Sequence, residues 1–271
     1  YYLLGYRKKV VMANLQIAFP EKTEAERIRI ARDFYHQFVD TFLETLKFVS
    51  WNRKAMKKHW EADLSGFEPA YASGKSIYLV GMHNFNWEFV NWALAGDLKL
   101  PFLGIYMPVG NKYFDRIIYN MRSRYGTVLV PATNFSRNYL PHLQYTHVLG
   151  SAADQSPGNP AKAYWLNFFG RPTAFVTGPE KGVKLNDNAL VFAHFFRTRR
   201  GHYRLETRFI SNEAALLPEG EITRLYARYV EECLRRQPAN YLWSHRRWKK
   251  EWKSEYRHLW VDLDPPPAGD A

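Results

Sequence analysis

Residues 76–90 read SIYLVGMHNFNWEFV, and their order decides the fold. Ile77-Tyr78-Leu79-Val80 is a short apolar run that stops at Gly81. Beyond it come His83, Glu88 and then Phe89, Val90, Trp92, Ala93 and Leu94. A buried strand, a sharp turn and a helix account for this pattern. The turn sets an imidazole and a carboxylate where a strand stops and a helix starts. In open α/β sheets that carboxyl edge is where ligands bind.

The spacing of His83 and Glu88 carries its own constraint. Residues five apart on one regular helix sit about 140° around the axis, so they do not face each other. His83 must lie in the turn, ahead of the helix, if Glu88 in the first helical turns is to reach it. A carboxylate bonded to one ring nitrogen fixes the tautomer and leaves the other nitrogen as a base. This is the base-and-orienter half of a catalytic triad. No G-x-S-x-G occurs in the chain, so the nucleophile expected is a substrate hydroxyl. The ordinary alternative is a histidine that merely packs beside a strand. H-x4-E is not H-E-x-x-H, and no metal site is expected.

Working outward, the same alternation of strands and helices continues. Leu100–Tyr106, Thr127–Pro131 and His147–Ala153 read as strands, with helices over Asn111–Tyr125 and Asn134–Gln144 between them. Further on, a helix is expected over Thr177–Asn186, strands over Ala189–Arg197 and Tyr203–Ile210, and an amphipathic helix over Glu219–Arg236. Upstream, Thr23-x-x-Glu26 is a capping box. The helix it opens should run to about Phe48, with Ile28, Ala31, Phe34 or Tyr35, Phe38, Phe42, Leu46 and Val49 on its packed face. The architecture expected is an α/β sandwich, a mostly parallel central sheet flanked by helices.

Several residues at the sheet edge carry two readings. Arg122 and Arg124, late in a helix, either complement its dipole or recognise an anion through a planar fork of donors. Asp154-Gln155 follow the third of these strands, at the same edge as His83 if the strands are parallel. Asp154 either caps the following loop, binds an acceptor hydroxyl or holds an arginine. Ser156–Thr173 reads as a long loop whose Trp165, Phe168 and Phe169 would touch lipid or cover the site. Tyr241–Lys253 is crowded with Trp, Arg and Lys and reads as a surface patch, either merely solvated or suited to phosphates.

The segment GMHNFNWEF resembles the H-x4-[DE] motif of the glycerolipid acyltransferase superfamily. His83, Asn86, Trp87 and Glu88 resemble the H-x-x-N-W-E form in bacterial lipid A biosynthesis acyltransferases of the lauroyl and myristoyl type. Tyr6-Arg7-Lys8 with Asn14-Leu15 and Phe19-Pro20, Arg122-Ser123-Arg124 with Gly126, Ala153-Asp154-Gln155, Phe168-Phe169-Gly170 and Tyr241–Lys249 resemble further blocks of that family, in its order. The resemblance implies transfer of a fatty acyl group from an acyl carrier protein or CoA thioester to a hydroxyl of a lipid A precursor or related glycolipid. His83 would be the base and Glu88 its orienter. Asn86, Arg122, Arg124, Asp154 and Gln155 would bind substrate or the oxyanion, and His245, Arg246 and Arg247 would meet phosphates or the membrane interface. No cofactor is expected beyond the thioester. Where the family often has a Val-Pro pair, this chain has Ala189-Leu190-Val191-Phe192. That keeps other hydroxylated lipids open as acceptors, including lysophospholipids and phosphatidylinositol mannosides.

Composition sets outer bounds. The chain has 271 residues, 46% of them hydrophobic, enough for one sizeable core. One domain is expected over residues 23–260, with a basic and aromatic segment at 1–22 and a disordered tail at 261–271. Lys and Arg total 38 against 26 acidic residues, a net charge of +12. Such a field attracts anionic partners. No nucleic-acid motif appears, so anionic lipid or an acidic carrier is the partner expected. The single cysteine, Cys233, excludes an intrachain disulfide. No apolar run approaches the roughly 20 residues that span a bilayer. The related enzymes carry a membrane helix just before the Tyr-Arg block. The expected location is therefore the cytoplasmic face of the bacterial inner membrane, with an anchor preceding this chain. A non-catalytic lipid-binding module is the competing class.

Overall fold

A computed structural model describes residues 5–48 and 50–270. Helices α1 (Lys8–Ala18) and α2 (Glu24–Phe48) come first, followed by α3 (Arg53–Lys57), β1 (Trp60–Asp63) and α4 (Glu68–Ala72). The central run is β2 (Ile77–Gly81), α5 (Trp87–Asp97), β3 (Phe102–Tyr106), α6 (Lys112–Ser123), β4 (Val128–Pro131), α7 (Phe135–Tyr139) and β5 (Val148–Ala152). After it come β6 (Tyr164–Phe168), β7 (Arg171–Phe175), α8 (Gly178–Leu185), β8 (Ala189–Arg199), β9 (His202–Ser211) and α9 (Glu221–Arg236).

Among the described residues the main sheet has seven strands in the order β1-β9-β8-β2-β5-β3-β4. Every pairing is parallel except β8 with β9. The expected mostly parallel α/β sandwich is what forms. The central strand β2 is buried on both faces, as its unbroken apolar run requires. Ile77 and Leu79 join the core beneath α5 with Val148, Val191 and Leu94. Tyr78 and Val80 join the opposite core with Leu149, Phe192, Val183 of α8 and Tyr226 of α9.

The topology locates a crevice. Strands β2 and β5 are neighbours, paired from Ile77↔Val148 to Gly81↔Ala152. Beyond β2 the chain crosses by α5 to β3, on one side. Beyond β5 it returns to β8, on the other. Connections that leave adjacent parallel strands in opposite directions open a gap at their carboxyl ends. His83 and Asp154 follow these two strands.

Two expectations need correction. Ser156–Thr173 is not a loop: β6 and β7 form an antiparallel hairpin from Tyr164↔Phe175 to Phe168↔Arg171. Its two-residue turn, Phe169-Gly170, has φ of 51° and 71°. Positive φ at both positions is the primed turn whose usual signal is Asn-Gly or Asp-Gly. A phenylalanine hides that signal, and it is held there by packing. Phe169 lies edge-on to Phe19 and Phe168, and its N–H donates to Glu231 Oε1 at 2.5 Å.

The second concerns α2. Thr23 and Glu26 form the reciprocal capping box, with bonds of 2.8 and 3.3 Å. Ala31, Phe34 and Tyr35 are buried as expected, but Phe42 and Leu46 are exposed while Asp40, Thr41 and Glu44 are buried. Polar partners across the helix cause the reversal. Arg197 and Arg200 hold Asp40 at 2.9 and 2.6 Å, and Tyr203 donates its hydroxyl to Glu44. Val49, the last residue of the expected stripe, lies outside the described residues, as do Tyr1–Leu4 and Ala271.

Both ends of the described chain make contacts with the rest of it. Within the opening basic segment, α1 buries Val11, Leu15 and Ala18 in the core. Just beyond Trp260, Val261 N–H donates to Trp165 O at 2.8 Å, and Asp262 accepts from Asn167 N–H at 2.8 Å and from Arg228 at 3.0 Å.

Candidate active site

His83 stands between β2 and α5, as the spacing demanded, and Asn86 caps the helix by accepting from Phe89 N–H at 3.3 Å. The carboxylate that meets the imidazole is Asp154, not Glu88. His83 Nδ1 lies 2.8 Å from Asp154 Oδ1, and the same oxygen accepts the His83 backbone N–H at 3.0 Å. A carboxylate accepts only, so Nδ1 carries the proton and Nε2 has the free lone pair. Asp154 is 1% exposed, whereas His83 keeps 30% of its side chain exposed. Burial disfavours both charges. Each group's charge nevertheless outweighs that penalty for the other, so the His83 pKa is raised above its ordinary value and that of Asp154 lowered.

Glu88 turns to the other side of the turn. Its carboxylate grips Arg122 at 2.5 Å through Nη2 and 2.9 Å through Nε, and accepts from Trp87 Nε1 at 3.0 Å. Only four residues separate it from His83 in sequence, but α5 begins at Trp87 and carries Glu88 toward the end of α6. Burial works against the Arg122 charge, and the Glu88 bonds more than restore it. Asn91 and Trp92 of α5 also hold the end of α6, through the Arg122 and Met121 carbonyls at 2.8 and 2.6 Å.

A cavity of about 400 Å³ opens between these groups. His83, Trp87, Glu88, Met107, Arg122 and Ala152 stand at its wetter end. Its inner wall is apolar, with Leu79, Val90, Leu94, Leu129, Phe195 and Leu205 all buried. Gly104 and Gly150 supply bare backbone on the strand side. A Cβ on Gly150 would lie 2.7 Å from the Phe102 ring. A lone glycine within a strand signals close approach of another group, and this was the legible clue to the floor.

The remaining expected site residues are dispersed. Asn86 is fully buried and serves as a helix cap, its NH2 also reaching Thr41 O at 3.4 Å. Arg124 is exposed and lies over the Tyr125 ring at 5.3 Å. Gln155 is half-buried and is not among the residues lining the cavity. His245, Arg246 and Arg247 form no surface patch, because only Arg246 is exposed. Arg247 is buried against the Phe175 and Phe168 rings and donates to Ala174 O at 2.9 Å. His245 Nε2 accepts from Ser156 N–H at 3.0 Å. Burial and the neighbouring Arg247 charge pull its pKa down to about 4.

That segment instead braces the His83 turn. Leu242 N–H donates to His83 O at 3.1 Å, and Asn240 Oδ1 accepts from Phe85 N–H at 3.3 Å while its NH2 reaches Phe195 O at 2.8 Å. Asn14 of α1 clamps it from outside, donating to the Trp243 and His245 carbonyls at 2.8 and 2.7 Å. Sequence reasoning missed Asn240, which carries no motif of its own, and read the block that holds Leu242 as a surface patch.

Residues 2–250 match the family model of bacterial lipid A biosynthesis acyltransferases. The chain belongs to that family. It is 22% identical over 252 residues to the lipid A biosynthesis palmitoleoyltransferase of Escherichia coli strain K12, covering 91% of this chain and 80% of the relative. The lipid A biosynthesis lauroyltransferase of the same strain is 24% identical over 247 residues, covering 90% and 79%. The lipid A biosynthesis acyltransferase of Haemophilus influenzae is 25% identical over 247 residues, covering 90% and 78%. This member of the lipid A acyltransferase family is thus an acyl-transfer enzyme, with an acyl donor and a lipid acceptor. No helix among its described residues is long and apolar enough to cross a membrane.

Proposed function

We propose that this enzyme moves a fatty acyl group from an acyl carrier protein or CoA thioester to a hydroxyl of a lipid A precursor, with His83 as general base. One observation carries the reading: His83, hydrogen-bonded to the buried Asp154, lines an apolar cavity. The cavity suits an acyl chain, and its volume falls in the ordinary range for small-molecule sites.

In the reaction, His83 Nε2 takes the proton of the acceptor hydroxyl while its oxygen attacks the thioester carbonyl carbon. Asp154 stabilises the imidazolium that forms. The tetrahedral intermediate collapses as the C–S bond breaks. The thiolate then takes the proton back from Nε2. The products are an ester and a free thiol, with no acyl-enzyme between them and no group needed beyond the two substrates. Arg122 is the arginine that lines the cavity with His83. Glu88 takes two of its nitrogens, and among the described residues Nη1 has no partner. Its charge beside the cavity favours the oxyanion of the intermediate. Glu88 then acts as a positioning residue for Arg122.

The same reading locates the work at the cytoplasmic face of the inner membrane, where a lipid acceptor and a soluble thioester can meet. The test is incubation of purified enzyme with a lipid A precursor and a series of acyl thioesters, with products identified by mass spectrometry. An O-acylated precursor that disappears in folded His83→Ala is expected. Turnover retained by that variant would remove the proposed base. Acylation of only a different hydroxylated lipid would move the acceptor assignment.

A further inference from the structure

The second half of α2 is turned inside out. Its apolar residues Val39, Phe42, Leu43 and Leu46 fall at i, i+3, i+4 and i+7, the spacing of a core-facing stripe. Leu46 is nevertheless 75% exposed, while Glu44 beside it is only 9% exposed. Soluble domains scatter single apolar residues over their surface, but a contiguous stripe marks a surface that meets something apolar. Helix α6 repeats the feature. None of its residues is buried, yet Tyr113, Phe114 and Ile117 share one face, and Tyr113 is 84% exposed.

Both helices flank α5 and lead to the cavity. From α2, rings run in contact from Phe42 through Phe38 and Phe85 to Trp87, with centroids 5.1, 6.1 and 6.3 Å apart. Trp87 lines the cavity. From α6, Arg122 lines the same opening. Cations border both apolar faces: Lys47 beside the α2 stripe, together with Arg200, whose side chain is 73% exposed although Asp40 pairs with it at 2.6 Å, and Lys112 and Arg116 on α6. The nearest carboxylates on α2, Asp40 and Glu44, are buried. Apolar residues rimmed by exposed cations match the boundary between acyl chains and anionic headgroups.

We propose that the outer faces of α2 and α6 form the surface by which the enzyme docks on an anionic lipid bilayer, holding the cavity opening against the membrane. The inference rests on the acyl-transfer reading only for what the opening must face. Docking itself is measured without turnover. Vesicles of phosphatidylglycerol mixed with phosphatidylcholine, and of phosphatidylcholine alone, are sedimented with wild type, with Phe42→Ser/Leu46→Ser, with Phe114→Ser/Ile117→Ser, and with Leu185→Ser/Leu216→Ser as a control on exposed leucines elsewhere. Circular dichroism spectra and melts check the fold.

The expected result is binding that favours the anionic vesicles and weakens by about tenfold or more in each of the first two variants. The fold should persist, and the control should bind as wild type does. Wild type that ignores vesicles, or unchanged binding in either docking variant, overturns the proposal. So does a solution dimer that the α2 variant converts to monomer, since a second copy would then cover the stripe. Docking without any lipid acylation would sink the acyl-transfer reading and leave the surface. Acylation of detergent-dispersed lipid by a protein that ignores vesicles would do the reverse.

Discussion

Asp154 governs how basic His83 is, and its contribution separates cleanly from that of Glu88. Burial alone would lower the His83 pKa, and the Asp154 charge and hydrogen bond raise it above the ordinary 6.5. The base works only when neutral, so wild-type activity should climb with pH through that raised value. Asp154→Asn removes the charge and leaves the burial. The acid limb of kcat/KM should then shift to lower pH, while turnover falls by about 10³- to 10⁴-fold because the tautomer is no longer fixed. Glu88→Gln should also reduce turnover, through loss of the Arg122 grip, but with the acid limb unmoved. A pH profile that shifts in Glu88→Gln and not in Asp154→Asn would restore Glu88 as the partner of the imidazole. The signs also govern stability. The raised His83 pKa stabilises the fold below 6.5, and this is lost as pH rises through the raised value. The lowered Asp154 pKa stabilises it above 3.8, and this is lost as pH falls through the lowered value. Melts of wild type and Asp154→Asn should therefore differ most between those limits. The position of His83 was legible in sequence, because the strand, the glycine and the helix are local. Its true partner was not, because Asp154 lies 71 residues away and only the parallel pairing of β2 with β5 brings it near.

At the scale of elements, the strands and most helices announced themselves by apolar runs and caps, and the exceptions have specific causes. The β6–β7 hairpin was hidden by Phe169 at a turn position that favours asparagine, aspartate or glycine. The ring is 6% exposed, so this turn tip is part of the core. Phe169→Ala should destabilise the enzyme by about 3–5 kcal/mol, as loss of a buried phenylalanine does. An exposed turn would tolerate the change within about 0.5 kcal/mol. A denaturant midpoint close to wild type would show that the ring is not holding the hairpin. The cavity floor makes a second element-level test. Gly150 lies on β5 with the Phe102 ring where a side chain would stand. In Gly150→Val that ring must swing, and the space left for a chain shrinks. Preference among acyl thioesters should move toward shorter chains, with about 10-fold or greater loss for each methylene that no longer fits. An unaltered chain-length profile would place the acyl chain elsewhere. The reversal in α2 was not legible, because periodicity reports that a helix has an apolar stripe and not which side the protein covers.

Over the whole molecule, charge and its distribution do what no single pair does. The crowding of basic and aromatic residues after Tyr241 reads as surface. The folded chain draws it inward, because Asn14 takes its carbonyls and Asn240 and Leu242 hold the His83 turn. Arg122 is the arginine among the residues that line the cavity, and it is paired to Glu88, so the lining contributes little net positive charge. The net charge of +12 is therefore expressed as a long-range field from residues spread over the surface. Both thioester donors proposed here are anionic, so this field should act on encounter and not on the chemical step. Raising salt from about 0.05 to 0.5 M shortens the screening length from roughly 14 to 4 Å. The kcat/KM for an acyl carrier protein or CoA thioester should then fall by about tenfold or more, while kcat changes little. An uncharged thioester of the same acyl chain, with the acceptor held in neutral detergent, should show no such slope and thereby exclude a general effect of salt on the fold. If both donors respond alike, or neither does, the field does not steer the donor. The basic surface would then act only on the acceptor's phosphates and the membrane, and donor capture would depend on the apolar cavity alone.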